Sequence, residues 1–174
     1  MSFHNWNKDP KPLMEDKHHK TSHYNGGKDI NILILGVRGV GKSALTVRYL
    51  TRRFIGDYDS ELETIYSHNM VVDGKTVNVH ILDTAWNENG VDVKEEQIIW
   101  ADAIMLVYSM TDRKSFEKIK EIADIVVTKK ADDKVVMALV ANKCDLLHRK
   151  QISDTEATQF CAEYNTMFFE TSAS

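Results

Sequence analysis

Gly36-Val37-Arg38-Gly39-Val40-Gly41-Lys42-Ser43 has the spacing G-x-x-x-x-G-K-[ST]. The chemistry this spacing serves is phosphate binding. Glycines let successive backbone N–H groups turn inward toward phosphate oxygens. A helix opening at the end of the loop adds partial positive charge. In that frame Lys42 reaches the β- and γ-phosphates of a nucleotide and the Ser43 hydroxyl ligates Mg²⁺. The contact set runs from Gly36 to Ser43 and on to Ala44. Asp83 closes the apolar stretch Val77 to Leu82. A carboxylate at the end of a strand beside a phosphate loop can hold Mg²⁺ through water. The bland alternative, a Gly-rich turn without a ligand, fits poorly with a loop that follows an apolar run and opens a helix.

A second set of groups follows at Asn142-Lys143-Cys144-Asp145, again after an apolar run. Together with Phe169-Glu170-Thr171-Ser172-Ala173, it resembles the base-reading motifs of Ras-superfamily GTPases. The resemblance makes chemical sense. The Asp145 carboxylate can accept from guanine N1–H and from the exocyclic amine, where adenine presents the wrong pattern. Asn142 fixes the loop, the Lys143 stem lies along the base, and the Ala173 N–H, beside Ser172, donates to guanine O6.

The resemblance extends from Ile30 to Ser174. Lys42 to Ile55, Trp100 to Ala103 and Thr111 to Phe116 look most like the RERG/RasL branch of the Ras family. It implies a P-loop NTPase fold of the Ras-like G-domain type, a signalling switch loaded with GTP or GDP and Mg²⁺, and effector and regulator proteins met through Asp57 to Tyr66. It also implies that Phe54 stacks against the guanine edge. The alternative for Phe54 is a core position on the helix face.

Four departures from the family pattern fall where hydrolysis is performed. Arg38 replaces a glycine, where a side chain crowds the γ-phosphate and the path of an external arginine finger. It could instead supply positive charge itself. Glu61 stands where a threonine ligates Mg²⁺, and brings negative charge toward a polyanion. Trp86 replaces the glycine whose N–H meets the γ-phosphate. Asn87 stands where a glutamine orients the attacking water, and is one methylene short. Nucleotide-holding residues remain while the γ-phosphate contacts and the water-positioning group are altered, and binding and hydrolysis use different parts. The expectation is a slow GTPase. The rival is a non-hydrolysing pseudo-GTPase that serves as a binding module. A P-loop kinase or ATPase is disfavoured by Asn142 to Asp145.

The elements that must position these groups are legible as an alternation of strands and helices. Ile30 to Leu35 is an apolar run closed by Gly36, the mark of a buried parallel strand. Ala44 to Phe54 reads as a helix with Ala44, Val47, Leu50 and Phe54 on one face. Met70 to Val72 and Val77 to Leu82 flank Asp73-Gly74, a hairpin turn signal. Ile104 to Tyr108, Val135 to Ala141 and Met167 to Phe169 read as further strands. Phe116, Ile119, Ile122, Ala123, Val126 and Val127 recur at helical spacing. Ser153-Asp154-Thr155-Glu156 is a capping box before a helix that turns Ala157, Phe160 and Cys161 inward. The pattern predicts an α/β domain over residues 30–174, its sheet mostly parallel with one antiparallel hairpin. Ras-like domains carry one more helix after the last base-reading loop. The chain stops at Ser174, so an uncovered apolar sheet face is expected, from truncation or because a partner covers it.

Residues 1–29 carry both prolines, Pro10 and Pro12, and lack apolar periodicity. They read as a disordered polar tail. His18-His19-His23 within it lacks the carboxylate or cysteine spacing of a metal cage. The 174 residues, 43% hydrophobic and 28% charged, suit one folded domain with a full core. A net charge of −4 argues against general nucleic-acid binding. Cys144 and Cys161 are expected to be reduced thiols of a cytoplasmic protein. No signal peptide, membrane span, myristoylation glycine (residue 2 is Ser2) or prenylation cysteine is visible, so no lipid anchor is expected.

Overall fold

The computed structural model describes residues 28–52, 63–85, 93–131 and 135–173. Among them the order is β1 (Lys28–Leu35), α1 (Lys42–Thr51), β2 (Thr64–Val72), β3 (Lys75–Asp83), α2 (Glu95–Trp100), β4 (Ala103–Ser109), α3 (Arg113–Lys129), β5 (Val136–Asn142), α4 (Asp154–Tyr164) and β6 (Met167–Glu170). A 3-10 turn spans Cys144–Arg149. The strands form one six-stranded sheet in the order β2-β3-β1-β4-β5-β6. Only the β2–β3 pair is antiparallel. Asp73 and Gly74 both have positive φ, 50° and 75°, as a two-residue turn between twisted strands requires.

The inner strands are continuous apolar runs because both sheet faces are covered. One face carries Leu33, Leu35, Leu82, Ile104, Leu106 and Leu139, packed with Phe116, Ile119 and Ile122 of α3 and Phe160 of α4. The other carries Ile34, Val79, Ile81, Val107 and Val140, with Leu45 of α1 against them. Asp112 caps α3 by accepting from the N–H groups of Lys114 and Ser115. The capping box at Ser153 and Glu156 is formed, so the start of α4 is set by local chemistry. Sheet order departs from β1 in both directions. The carboxyl ends of β1, β3, β5 and β6 therefore meet along one edge, the place where open α/β sheets bind ligands.

Several sequence expectations need correction. β1 begins at Lys28, because Lys28 and Asp29 pair with Val77 and Asn78 of β3. The polar tail therefore yields its last two residues to the sheet. α1 ends at Thr51, stopped by Arg52 in the left-handed region (φ 58°). Its buried residues are Lys42, Ala44 and Thr46, whereas Val47 and Leu50 are half-buried. β2 starts at Thr64, well before Met70, so the last residues of the Asp57 to Tyr66 stretch are strand. Val127 points outward, 45% exposed, although its neighbour Val126 is fully buried. Met167, Phe168 and Phe169 of the edge strand are exposed. No helix among the described residues is long and apolar enough to cross a membrane.

Candidate functional site

The phosphate loop leaves β1 at Gly36 and enters α1 at Lys42. Gly41 caps the helix with φ 99°, and a Cβ there would overlap the Asn142 side-chain amide. At Gly36 a Cβ would overlap the Val107 carbonyl. The loop thus lies against β4 and β5 at distances only glycine allows. Lys42 is buried at the start of α1, and its Nζ donates to the carbonyls of Gly36 (2.8 Å) and Val37 (3.4 Å). Burial pushes its pKa below the ordinary lysine value, and the charge of Asp83 opposes that shift. Val40 and Ala44 are buried, Val37, Gly41 and Ser43 half-buried, and Arg38 and Gly39 exposed at the tip.

Asp83 is buried at the end of β3. Burial raises its pKa, offset by a hydrogen bond from the Ser43 side chain and by the Lys42 charge. Its Oδ1 is buried without a hydrogen-bond partner. A spare carboxylate oxygen beside a serine hydroxyl fits a hard cation such as Mg²⁺, which takes one or two protein oxygens and completes its shell from water and phosphate. The next residue of the Asp83-Thr84-Ala85-Trp86 motif has a role that spacing alone does not show. Thr84 Oγ1 donates to the Ile34 carbonyl at 2.7 Å and joins β3 to the strand before the phosphate loop.

The residues expected to read the base converge on this loop. Asn142, fully buried at the end of β5, donates from Nδ2 to the Val40 carbonyl at 2.8 Å. Lys143, with φ 65°, donates from Nζ to the Gly39 carbonyl at 2.7 Å. Asp145 is exposed, and its Oδ1 accepts from Ser172 Oγ at 2.6 Å. Thr171 belongs to the same set, and the sequence alone assigns it no contact. Its hydroxyl donates to Asn142 Oδ1 at 3.3 Å, its N–H to the Ala141 carbonyl, and its carbonyl accepts from Cys144 N–H. Its place in the Phe169 to Ala173 stretch was its sequence signal. Ala173 is buried next in line. The segments 36–41, 142–145 and 171–173 are therefore one hydrogen-bonded unit.

Phe54, Glu61, Trp86 and Asn87 lie outside the described residues, as do residues 57–62, Ser174 and the His18-His19-His23 tail. Cys144 and Cys161 are free thiols. Among the described residues no group of three or more His, Cys, Asp or Glu side chains could hold a metal ion.

A phosphate loop at the carboxyl end of β1, a carboxylate at the end of β3 and a carboxylate-bearing loop after β5 define a P-loop nucleotide-binding domain of the Ras-like type. The chain belongs to the Ras family, whose model matches residues 31–174. It is similar to Ras-like protein family member 11B of Danio rerio, 41% identical over 83% of this chain and 62% of that relative. It is equally similar to the Ras-related and estrogen-regulated growth inhibitor of Homo sapiens, 41% identical over 83% of this chain and 72% of that protein. The mouse family member 11B is 38% identical over 86% of this chain and 63% of its own length. The chain thus spans under two-thirds of the family member 11B relatives and somewhat more of the growth inhibitor.

Proposed function

We propose that this chain is a guanine-nucleotide switch that binds GDP or GTP with Mg²⁺ and hydrolyses GTP slowly. The observation that supports this reading is the bonded unit of phosphate loop and base loop. Asn142 and Lys143 hold carbonyls of Val40 and Gly39, which places the Asp145 carboxylate at a set position relative to the loop. Ser172 holds that carboxylate by one oxygen. Asp145 is a hydrogen-bond acceptor when ionised, and guanine offers two donors on one edge. Lys42 supplies the buried positive charge that phosphates need. Mg²⁺, when bound, would neutralise charge on the phosphates, with Ser43 and Asp83 as its protein ligands.

Arg38, Glu61, Trp86 and Asn87 support slow hydrolysis, because each replaces a residue that acts on the γ-phosphate or the attacking water rather than on the rest of the nucleotide. The same departures favour a second reading, a pseudo-GTPase that only binds. Partner proteins would meet the stretch Asp57 to Tyr66, and the chain would work in the cytoplasm. The nucleotide that co-purifies, identified by chromatography, and single-turnover phosphate release separate the readings. Bound guanine nucleotide with slow release supports the switch. Bound nucleotide without measurable release supports the pseudo-GTPase. Adenine nucleotide, or none, contradicts both.

A further inference from the structure

Glu63 belongs to neither the phosphate loop nor the base loop, yet both of its carboxylate oxygens are bonded. Lys94 Nζ donates to Oε2 at 3.0 Å and Gln97 Nε2 to Oε1 at 3.1 Å. The Glu63 side chain is 22% exposed and Gln97 is buried. An ion pair at this depth, alone, holds weakly. The buried Gln97 amide fixes the second oxygen and makes the contact directional.

The placement of this bridge gives it a role. Glu63 immediately precedes β2, whose first residue, Thr64, pairs with Asp83. The chain leaves the sheet after Asp83 and enters α2 through Lys94, its N-cap residue. The stretch after Asp83 therefore starts opposite Thr64 and ends bonded to Thr64's neighbour. Both of its ends are referred to the same two residues, and Asp83, with its unpartnered Oδ1, stands at one of them.

We propose that Glu63 is a positioning residue for nucleotide retention, acting with Lys94 and Gln97 to tie the start of α2 to the start of β2 and so hold the Asp83 end of β3 in place. This rests on the nucleotide-binding reading above. The bridge is separate from Ser43 and Asp83, the residues that would hold Mg²⁺. It joins Lys94 and Gln97 to the residue before Thr64, the sheet partner of Asp83, and its effect should be seen through Mg²⁺.

The test uses the 174-residue chain loaded with mant-GDP and Mg²⁺, with release followed by fluorescence after adding excess GDP. The variants are Glu63→Ala, Lys94→Ala, their double, and the charge swap Glu63→Lys with Lys94→Glu. Each single substitution should speed release about three- to tenfold, and the double no more than the larger single, as for groups in one bridge. The swap should recover most of the slow release. With EDTA present, all variants should release at nearly one rate. Wild-type release rates in every variant would overturn the proposal and leave the nucleotide reading standing. So would effects that multiply in the double, or an equal acceleration in EDTA with a lowered melting temperature, which would mark a general packing defect. A folded wild type that retains no mant-GDP would overturn the nucleotide reading itself, and this inference with it.

Discussion

The part of the molecule that would hold the base and the part that would act on the γ-phosphate differ in kind. The first is dense with side-chain bonds between distant segments. Asn142 to Val40, Lys143 to Gly39, Thr171 to Asn142 and Ser172 to Asp145 cross between three loops. Its residues match the family motif position by position. In the second, Arg38, Glu61, Trp86 and Asn87 each depart from it. Of these Arg38 alone falls among the described residues, exposed at the loop tip. A site can keep the groups that bind while losing those that accelerate, because only interactions stronger in the transition state raise the rate.

The largest expected effect lies in the holding half. Lys42→Ala should weaken GDP binding about a hundredfold, the weight of a desolvated charge-assisted hydrogen bond. Calorimetric titration checks it, and unchanged affinity would remove the phosphate loop from the account. Asp145→Asn comes next. Exchanging a double acceptor for a mixed donor and acceptor should cost guanine about 1–3 kcal/mol and favour xanthine nucleotides in competition. A variant that still prefers guanine would show that Asp145 does not read the base.

Asp83→Asn sharpens the contrast through its opposite effects. Burial raises the folded pKa of Asp83 above its unfolded value. Its contribution to stability is therefore fully present below the unfolded pKa and lost as pH rises through the folded one. At neutral pH the nucleotide-free protein carries that penalty. The amide should raise its melting temperature, because it removes a buried charge. The same substitution should abolish the slowing of nucleotide release by Mg²⁺. Calorimetry with and without Mg²⁺ reads both, and a lower melting temperature in the nucleotide-free protein would contradict the sign. The smallest effect is expected from Asn87→Gln alone, under about a twofold gain in hydrolysis, because the γ-phosphate contacts remain altered. Phosphate-release assays on this variant would contradict that by showing a large gain.

How far the sequence could be read follows from where information is local. β1, β4 and β5 were legible because both sheet faces bury them, which leaves continuous apolar runs. The start of α4 was legible because Ser153 and Glu156 cap each other three residues apart. α2 was not read, since its six residues are too few to show periodicity. The early start of β2 was missed because its inner partner is β3, across the hairpin, and among the described residues its other side is an edge of the sheet. Phosphate and base motifs were visible as spacing, but their mutual bonds span more than a hundred residues, as between Lys143 and Gly39. Glu63 lay within the Asp57 to Tyr66 stretch expected to meet partners, with no role of its own there, and its partners Lys94 and Gln97 reach it only through the register of Thr64 with Asp83. The outward turn of Val127 was missed because one position beyond Val126 on a helix already faces solvent.

The separation of holding from hydrolysis is tested most directly by single-turnover phosphate release from GTP-loaded, Mg²⁺-bound protein, measured with the quadruple revertant Arg38→Gly, Glu61→Thr, Trp86→Gly and Asn87→Gln alongside. Release at or below the ~10⁻⁴ s⁻¹ scale of unassisted Ras is expected for the wild type, and a faster rate for the revertant, responsive to an activating protein. A wild-type rate well above that scale, lost on Arg38→Ala, would contradict it and make Arg38 a built-in finger.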